Sequence, residues 1–315
     1  LSNSRCSFKQ VKISRKEKGM KKGTIFTLAF LLVGTGAFAV TADFSDVFIS
    51  SSLSQIWEPT ADVLDSFGAP DTSPMGIDVD RDNEWLWHTS EGTSGPVYTV
   101  DPTTGTATLR FYIETLVGSY NLKGNGLYYD SDNELLYIVD YNGNVSDYYD
   151  SVYVFDVSDP DDASLVEAHN FGTTNGVLGI TYRDPYFYIG YNSTSQIIAY
   201  NDSWVQQDSY SHTGGGEIYY DYVDDVFYAL GVWSPMIYVL DGDGLSTLDS
   251  FSISGASYGG GCGICPNIGD YSEGMETLWI TEFSLSDMFY QIENDYWTHS
   301  SVVPVSLGEM KAMFQ

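Results

Sequence analysis

One stretch constrains this chain more than any other: Pro74 to Gly105, PMGIDVDRDNEWLWHTSEGTSGPVYTVDPTTG. A Gly-Ile pair opens an alternating run and an Asp/Asn turn follows. Then come an apolar run from Trp85 to His88, a loop, a third run from Val97 to Val100 and an Asp-Pro-x-Thr-Gly turn. Runs of this kind, bounded by Asp, Asn, Gly and Pro, are the pattern of short β-strands joined by tight turns. The unit recurs. A second copy enters at Asn125-Gly126-Leu127 and runs through YYDSDNELLYIVD to the strand Ser151 to Val157, a third enters at Leu178-Gly179-Ile180, and a fourth enters at Gly216. Each closes with one more strand: Ser164 to Asn170, Trp204 to Tyr210 and Ser246 to Ile253. A fifth, degenerate copy enters through GASYGGGCGICPN, resumes at Glu276 to Thr281 and has its third strand at Met288 to Glu293.

Successive glycines at 76, 126, 179 and 216 differ by 50, 53 and 37 residues. That is the range of propeller blades of about 40–50 residues once loops vary in length. No helical period of apolar residues persists after the first 39 residues. The expected fold is therefore all-β, a β-propeller of five four-stranded blades. The fifth copy lacks a fourth strand, and Ala61 to Phe67 (ADVLDSF) is a strand without a blade. Letting this N-terminal strand complete the last blade closes the ring and leaves no open sheet edge. A sixth blade would need strands from residues 43–60 and 295–307. The pattern resembles secreted bacterial propellers of the broad NHL and YVTN-repeat kind over residues 61–293, and VYVFDVSDPDDASLV at 152–166 is similar to the Val-Asp-Val-Ser-Asp-Pro repeats of such proteins. That resemblance implies fold only, because such propellers include enzymes, binding modules and spacers.

Ahead of the repeats, Met20-Lys21-Lys22, the apolar run Ile25 to Val33 and Ala37-Phe38-Ala39 have the three-part form of a secretory signal peptide, which is too short to span a membrane. Residues 1–39 are read as leader, with the signal proper from Met20 and an alternative cut after Ala42. Residues 40–60 form an N-terminal extension placing Trp57 at the domain edge, 61–296 the propeller, and 297–315 a tail. The expected destination is secretion or the cell surface, with no transmembrane segment in the mature chain. The tail's VSLGEMKAMFQ resembles short Trp-Gly-x-Ile-Lys-x-x-Phe export tails, with Leu307 in place of Trp. The whole chain holds 13 basic and 43 acidic residues; without the leader's eight basic and one acidic residue, five and 42 remain, a net charge of −37. Such a surface repels phosphate backbones and excludes nucleic acid as a partner.

Candidate chemistry is sparse. Asp78-x-Asp80-x-Asp82-Asn83 places carboxylates at alternate positions, as calcium would require, but lacks the glycine of an EF-hand loop and reads as a hairpin turn. Cys262 and Cys265, the only cysteines outside the leader, have CxxC spacing without the strand-to-helix setting of a redox motif. In an oxidising compartment they are expected to form a local disulfide across a Gly-rich loop. The four histidines lie in different units, and neither G-x-S-x-G nor H-E-x-x-H occurs. A propeller's site is expected at the channel mouth, among loops entering the innermost strands, where Asn125, Asn175, Glu217 and Glu273 lie. The first three resemble the metal-binding set of gluconolactonase-type propellers, which implies a divalent cation such as calcium activating water. Thr89-Ser90-Glu91-Gly92 resembles a loop of five-bladed glutaminyl-peptide cyclotransferases, in a different residue order. His88 and Glu91 flank this loop's start and are the first candidates for ligand contact, while Trp233, Tyr258 and Trp297 could stack on sugars. The expected function is a non-enzymatic binding or interaction module for an extracellular protein, peptide or glycan. The alternative is a metal-assisted hydrolase or lyase of the gluconolactonase or cyclotransferase kind.

Overall fold

The computed structural model describes residues 60–141, 149–212, 214, 216–231, 234–254, 261–268, 277–283, 286–294 and 296. The chain opens with β1 (Thr60–Gly68) and continues through β2 (Pro74–Asp80), β3 (Trp85–Ser90), β4 (Pro96–Val100) and β5 (Ala107–Tyr112). A single-turn helix, α1 (Ile113–Val117), follows and ends on Gly118 in the left-handed region (φ 73°). It is too short to register as a period in sequence. Next come β6 (Leu127–Asp130), β7 (Leu135–Asp140), β8 (Ser151–Asp156) and β9 (Ser164–Asn170), then β10 (Val177–Arg183), β11 (Tyr186–Tyr191), β12 (Gln196–Tyr200) and β13 (Gln206–Ser211). The last strands are β14 (Ile218–Asp221), β15 (Val226–Leu230), β16 (Met236–Asp241), β17 (Thr247–Ser254), β18 (Gly261–Pro266), β19 (Thr277–Glu282) and β20 (Met288–Glu293).

Strands β2–β5, β6–β9 and β10–β13 form three separate four-stranded antiparallel sheets in chain order. The fourth, β14–β17, and the fifth, β18-β19-β20-β1, are joined into one eight-stranded sheet. Among the described residues there are thus five four-stranded blades, and β1 closes the ring by pairing antiparallel with β20, from Val63↔Ile292 to Gly68↔Met288. The repeat does not announce a second bond: ahead of a bulge, the start of β1 runs parallel to β17 (Thr60↔Ser252, Ala61↔Ile253, Asp62↔Ser254) and ties the last two blades together. Residues 43–59 and 297–307, from which a sixth blade would come, lie outside the described residues, as do Trp57, Trp233, Tyr258, Glu273, Trp297 and the tail. Among the described residues no helix is long and apolar enough to cross a membrane.

Burial falls from axis to rim. Innermost β2 is buried at every residue, whereas outermost β9 is exposed or half-buried throughout. The strands second from the axis, covered on both faces, read as near-continuous apolar runs, as in YFYIGY of β11 and VFYAL of β15, and the outer strands as polar ones. Between blades the core is sheet packed on sheet: Trp87, Phe111, Leu136 and Phe155 between the first two, Val154, Phe187, Ile189 and Trp204 between the second and third. Trp204, expected to open an outer strand, instead has φ 57° and turns inward ahead of β13.

The fifth blade corrects one expectation. GCGICP is no loop but the innermost strand β18, paired with β19 from Gly261↔Glu282 to Pro266↔Leu278. A strand holds Cα atoms three residues apart at roughly 10 Å, beyond the reach of about 7 Å that a disulfide allows. Cys265 is accordingly a free, buried thiol and the expected Cys262–Cys265 bridge is not formed.

Candidate functional site

The five innermost strands share one register against their neighbours: Ile77↔His88, Leu127↔Ile138, Ile180↔Ile189, Ile218↔Ala229 and Ile264↔Ile280. The residues preceding these five positions form one level around the axis, namely Gly76, Gly126, Gly179, Glu217 and Gly263. Backbones meet here. A Cβ added to Gly76 would overlap Asn125 O, and one on Gly126 would overlap Leu178 O and lie 2.6 Å from Gly179 Cα. The four glycines leave room for one side chain at this level, and the fourth blade supplies it as Glu217. Its carboxylate lies against Gly126, is 1% exposed, and has Oε2 without a partner among the described residues. Burial pushes its pKa well above the ordinary value, and the nearby Asp78 charge adds to the shift.

Two residues further along each inner strand is a second level: Asp78, Tyr128, Thr181, Tyr219 and Cys265. Asp78 and Thr181 stitch blades together, for Tyr129 N–H donates to Asp78 Oδ2 (2.8 Å) and Tyr220 N–H to Thr181 Oγ1 (3.1 Å). Burial lifts Asp78 to about 7, against the pull of two backbone N–H donors, Tyr129 and Val79. The thiol of Cys265 is also pushed up, first by burial and then by the Asp78 charge. Asp80 caps its own turn, accepting from Asn83 N (3.1 Å) and Nδ2 (3.0 Å), and Asp130 repeats this with Asn133. The acidic run in the opening repeat therefore divides into an interblade stitch and a turn cap.

On the side where the chain enters the inner strands, the sequence-expected residues are placed as follows. His88 is fully buried between the first and fifth blades, 4.7 Å edge-on from Phe289, with Nδ1 3.0 Å from Gly76 O; burial drives its pKa to about 3. Asn125 is also fully buried. Its Oδ1 accepts from Tyr141 N (2.8 Å), its carbonyl accepts from Gly76 N (2.9 Å), and Nδ2 has no partner among the described residues. Asn175 is half-buried and held through its backbone, N–H donating to Asp150 Oδ2 at 2.6 Å. Glu91 pairs with Lys123 Nζ at 3.0 Å. Sequence reasoning missed the partner of this pair and its neighbour Asp140. Asp140 accepts from Lys123 N (2.9 Å), and burial lifts it to about 7 despite that bond and the lysine charge. Asn125 and Glu217 both border Gly126, and Asn125 Oδ1 already accepts one N–H, from Tyr141. Among the described residues no group of three or more His, Cys, Asp or Glu side chains is placed to hold a metal ion.

The opposite end, formed by the hairpin turns that leave the inner strands, is open. A cavity of about 900 Å³ lies there, with Asp78, Tyr128, Thr181 and Tyr219 at its floor. Around them stand Arg81, Asp82, Tyr182, Arg183, Tyr220, Tyr222 and Asp225. Tyr128 and Tyr182 stack at 6.2 Å, Tyr222 is 55% exposed, and Tyr182 donates its hydroxyl to Asp184 Oδ1 (3.1 Å). Six tyrosines, six aspartates and two arginines line this end. A signal for it exists in sequence. Leu-Tyr-Tyr-Asp at 127–130 and Ile-Tyr-Tyr-Asp at 218–221 repeat the floor and wall tyrosines in two blades.

The sequence matches no protein-family description, and no curated protein matches it. The fold is similar to that of the Myxococcus xanthus glutaminyl cyclase (TM-score 0.55, 9% identity, over 75% of this chain and 98% of that one). It is also similar to the PQQ-bound aldose sugar dehydrogenase of Streptomyces coelicolor (TM-score 0.50, 11% identity, 74% and 98%). At such identities the likeness is one of fold, a β-propeller, and transfers no residue roles.

Proposed function

We propose that this chain is a non-enzymatic binding or interaction module, exported by the leader read in residues 1–39, whose ligand enters the cavity on the turn face. The observation that carries the reading is that cavity itself: about 900 Å³, on the axis, with tyrosine rings and paired polar groups at its wall. The volume is that of pockets that enclose small ligands or single side chains of a partner. At the inlet face, by contrast, His88, Asn125 and Glu217 are enclosed by backbone and neighbouring blades. An extracellular protein, peptide or glycan is the partner class. Screening the purified chain against peptide and glycan arrays tests this. Bound probes should lose at least tenfold in affinity with Tyr222→Ala while the circular dichroism spectrum is unchanged; probes indifferent to Tyr222 and Tyr182 would count against the cavity.

A second reading, an enzyme of the cyclotransferase or gluconolactonase kind, is favoured by the Glu91–Lys123 pair beside Asp140. A carboxyl raised to about 7 next to an ion pair is suited to proton transfer near neutral pH. Both solved structures above are, by name, enzymes. Turnover of an N-terminal glutaminyl peptide or a lactone, abolished by Asp140→Asn, would establish this reading in place of the first. Turnover that survives the substitution, or none at all, would dismiss it.

A further inference from the structure

A second cavity, of about 1040 Å³, opens on the seam where the ring closes, between the first blade and the fifth. The first blade supplies Trp85, Thr108 and Arg110 to its wall, and the fifth supplies Asn267, Trp279 and Gln291. The bonds these groups already make fix what they can still offer. Trp279 Nε1 (3.1 Å) and Ile268 N (2.9 Å) both donate to Asn267 Oδ1, which orients the amide and leaves its NH2 unengaged among the described residues. Gln291 gives one long bond through Nε2, 3.5 Å to Thr277 Oγ1, and its carbonyl oxygen takes no donor from the described residues. Thr108 is exposed on β5, with a hydroxyl equally unengaged. Donor, acceptor and hydroxyl thus line one cavity from both sides of the seam.

Charge at this cavity is settled within the protein. Arg110 donates to Thr99 Oγ1 (2.8 Å) and Asp161 Oδ1 (2.7 Å) and lies over the Trp85 ring, 5.0 Å from its centroid, so a cation already sits on that indole. Asp101 is turned onto its own hairpin, accepting from Thr103 N (2.8 Å) and Thr104 Oγ1 (2.9 Å). Asp65 and Glu84, both exposed at the wall, repel phosphate and sulfate groups. Besides the two indoles, only Pro102 and Ile268 among the described lining residues are apolar, which gives a peptide side chain little to bury against. What is left is a neutral wall of amides and hydroxyls around a volume at the upper end of small-ligand pockets.

We propose that the seam cavity is a second binding site, for a neutral oligosaccharide whose hydroxyls accept from the Asn267 amide, donate to the Gln291 carbonyl and exchange bonds with Thr108. It is separate from the turn-face cavity and does not rest on the reading given to that cavity.

The test places the full chain on an array of neutral and anionic oligosaccharides at 20 and 300 mM NaCl. At least one neutral oligosaccharide should be retained, with less than a twofold change between the two salt concentrations. Asn267→Asp keeps the oxygen that holds Trp279 and Ile268 and removes the NH2; it should weaken binding at least tenfold. The double variant Thr108→Val, Gln291→Leu should do the same, whereas Tyr222→Ala, at the turn face, should stay within about threefold. If Asn267→Asp does not fold, the double variant, with its changes outside the buried core, decides alone. Retention of anionic oligosaccharides only, retention of none, or neutral binding untouched by the seam variants would each overturn the proposal. Neutral oligosaccharides lost in Tyr222→Ala but kept in the seam variants would overturn the seam site and support the turn-face reading. Peptides lost in Tyr222→Ala test that reading whatever the result at the seam.

Discussion

At the level of single residues, the axis decides most. Gly126 is required by close approach, because the next blade's backbone occupies the space of a side chain there. Gly126→Ala should cost about 2–3 kcal/mol. Gly68→Ala, with no atom within 4 Å of the added carbon, should stay within about 0.5 kcal/mol. Urea denaturation of both variants measures the contrast, and equal effects would show the ring of glycines to be slack. Glu217 makes a different prediction. Its carboxyl, like those of Asp78 and Asp140, titrates higher in the folded chain than in the unfolded one. The unfolded chain therefore releases these protons first. Their contribution to stability is greatest near and below the unfolded values, about pH 4, and is lost as pH rises toward the folded ones, about 7 for the two aspartates. Thermal melts should show Tm falling from pH 5 to pH 7.5. Glu217→Gln, neutral throughout, should fall less, by about 2–4 °C for each kcal/mol recovered; a parallel decline would mean that Glu217 ionises freely. That a glutamate stands where four blades have glycine is visible once the repeats are aligned on Ile218. Aligned on Gly216, the same residue reads as a loop carboxylate one place removed from the ring.

At the level of elements, the turns were legible and the closure was half legible. Asp80, Asp130 and Asp241 each accept bonds from N–H groups two to five residues on, a local chemistry that the Asp-rich turns state directly. The orphan strand Ala61 to Phe67 could be assigned to the last blade because an unfinished blade needs a fourth strand. Its parallel register with β17 could not, since Ser252 is nearly 200 residues away and nothing near Thr60 encodes it. β1 nevertheless holds by one side chain above the others. Phe67 packs 5.2 Å from Trp279 and 5.0 Å from Phe289, while Leu64 on the same strand is 47% exposed. Phe67→Ala should lower stability by about 2–4 kcal/mol, and Leu64→Ala by less than about 0.5. Similar losses in the two variants on chemical denaturation would contradict a closure sealed by Phe67. The misreading of GCGICP has the same root as the missed pairing. Glycines and cysteines mark loops when read locally, yet at the axis small residues are what an inner strand needs.

At the level of the whole molecule, charge is the governing quantity. With 43 acidic and 13 basic residues the chain repels itself, and screening should stabilise it: Tm should rise by about 3 °C or more between 20 and 300 mM NaCl. A flat or falling Tm would mean that the acids are neutralised by fixed partners, as Arg183 does for Asp225. The amino-acid sequence by itself determined most of the strands, the turns, the count of repeats and the strand that closes the ring. All of these follow from the two-residue period of a strand and from turn residues a few positions apart. Only the tertiary structure decided which residues meet on the axis, which end of the channel is open, and which carboxyls hold their protons. The physical reason is that a propeller brings together residues some 40–50 positions apart by rotation about the axis. Burial at that meeting point, which no local pattern records, then sets the charge of Asp78 and Glu217 and leaves the tyrosine-lined turn face open.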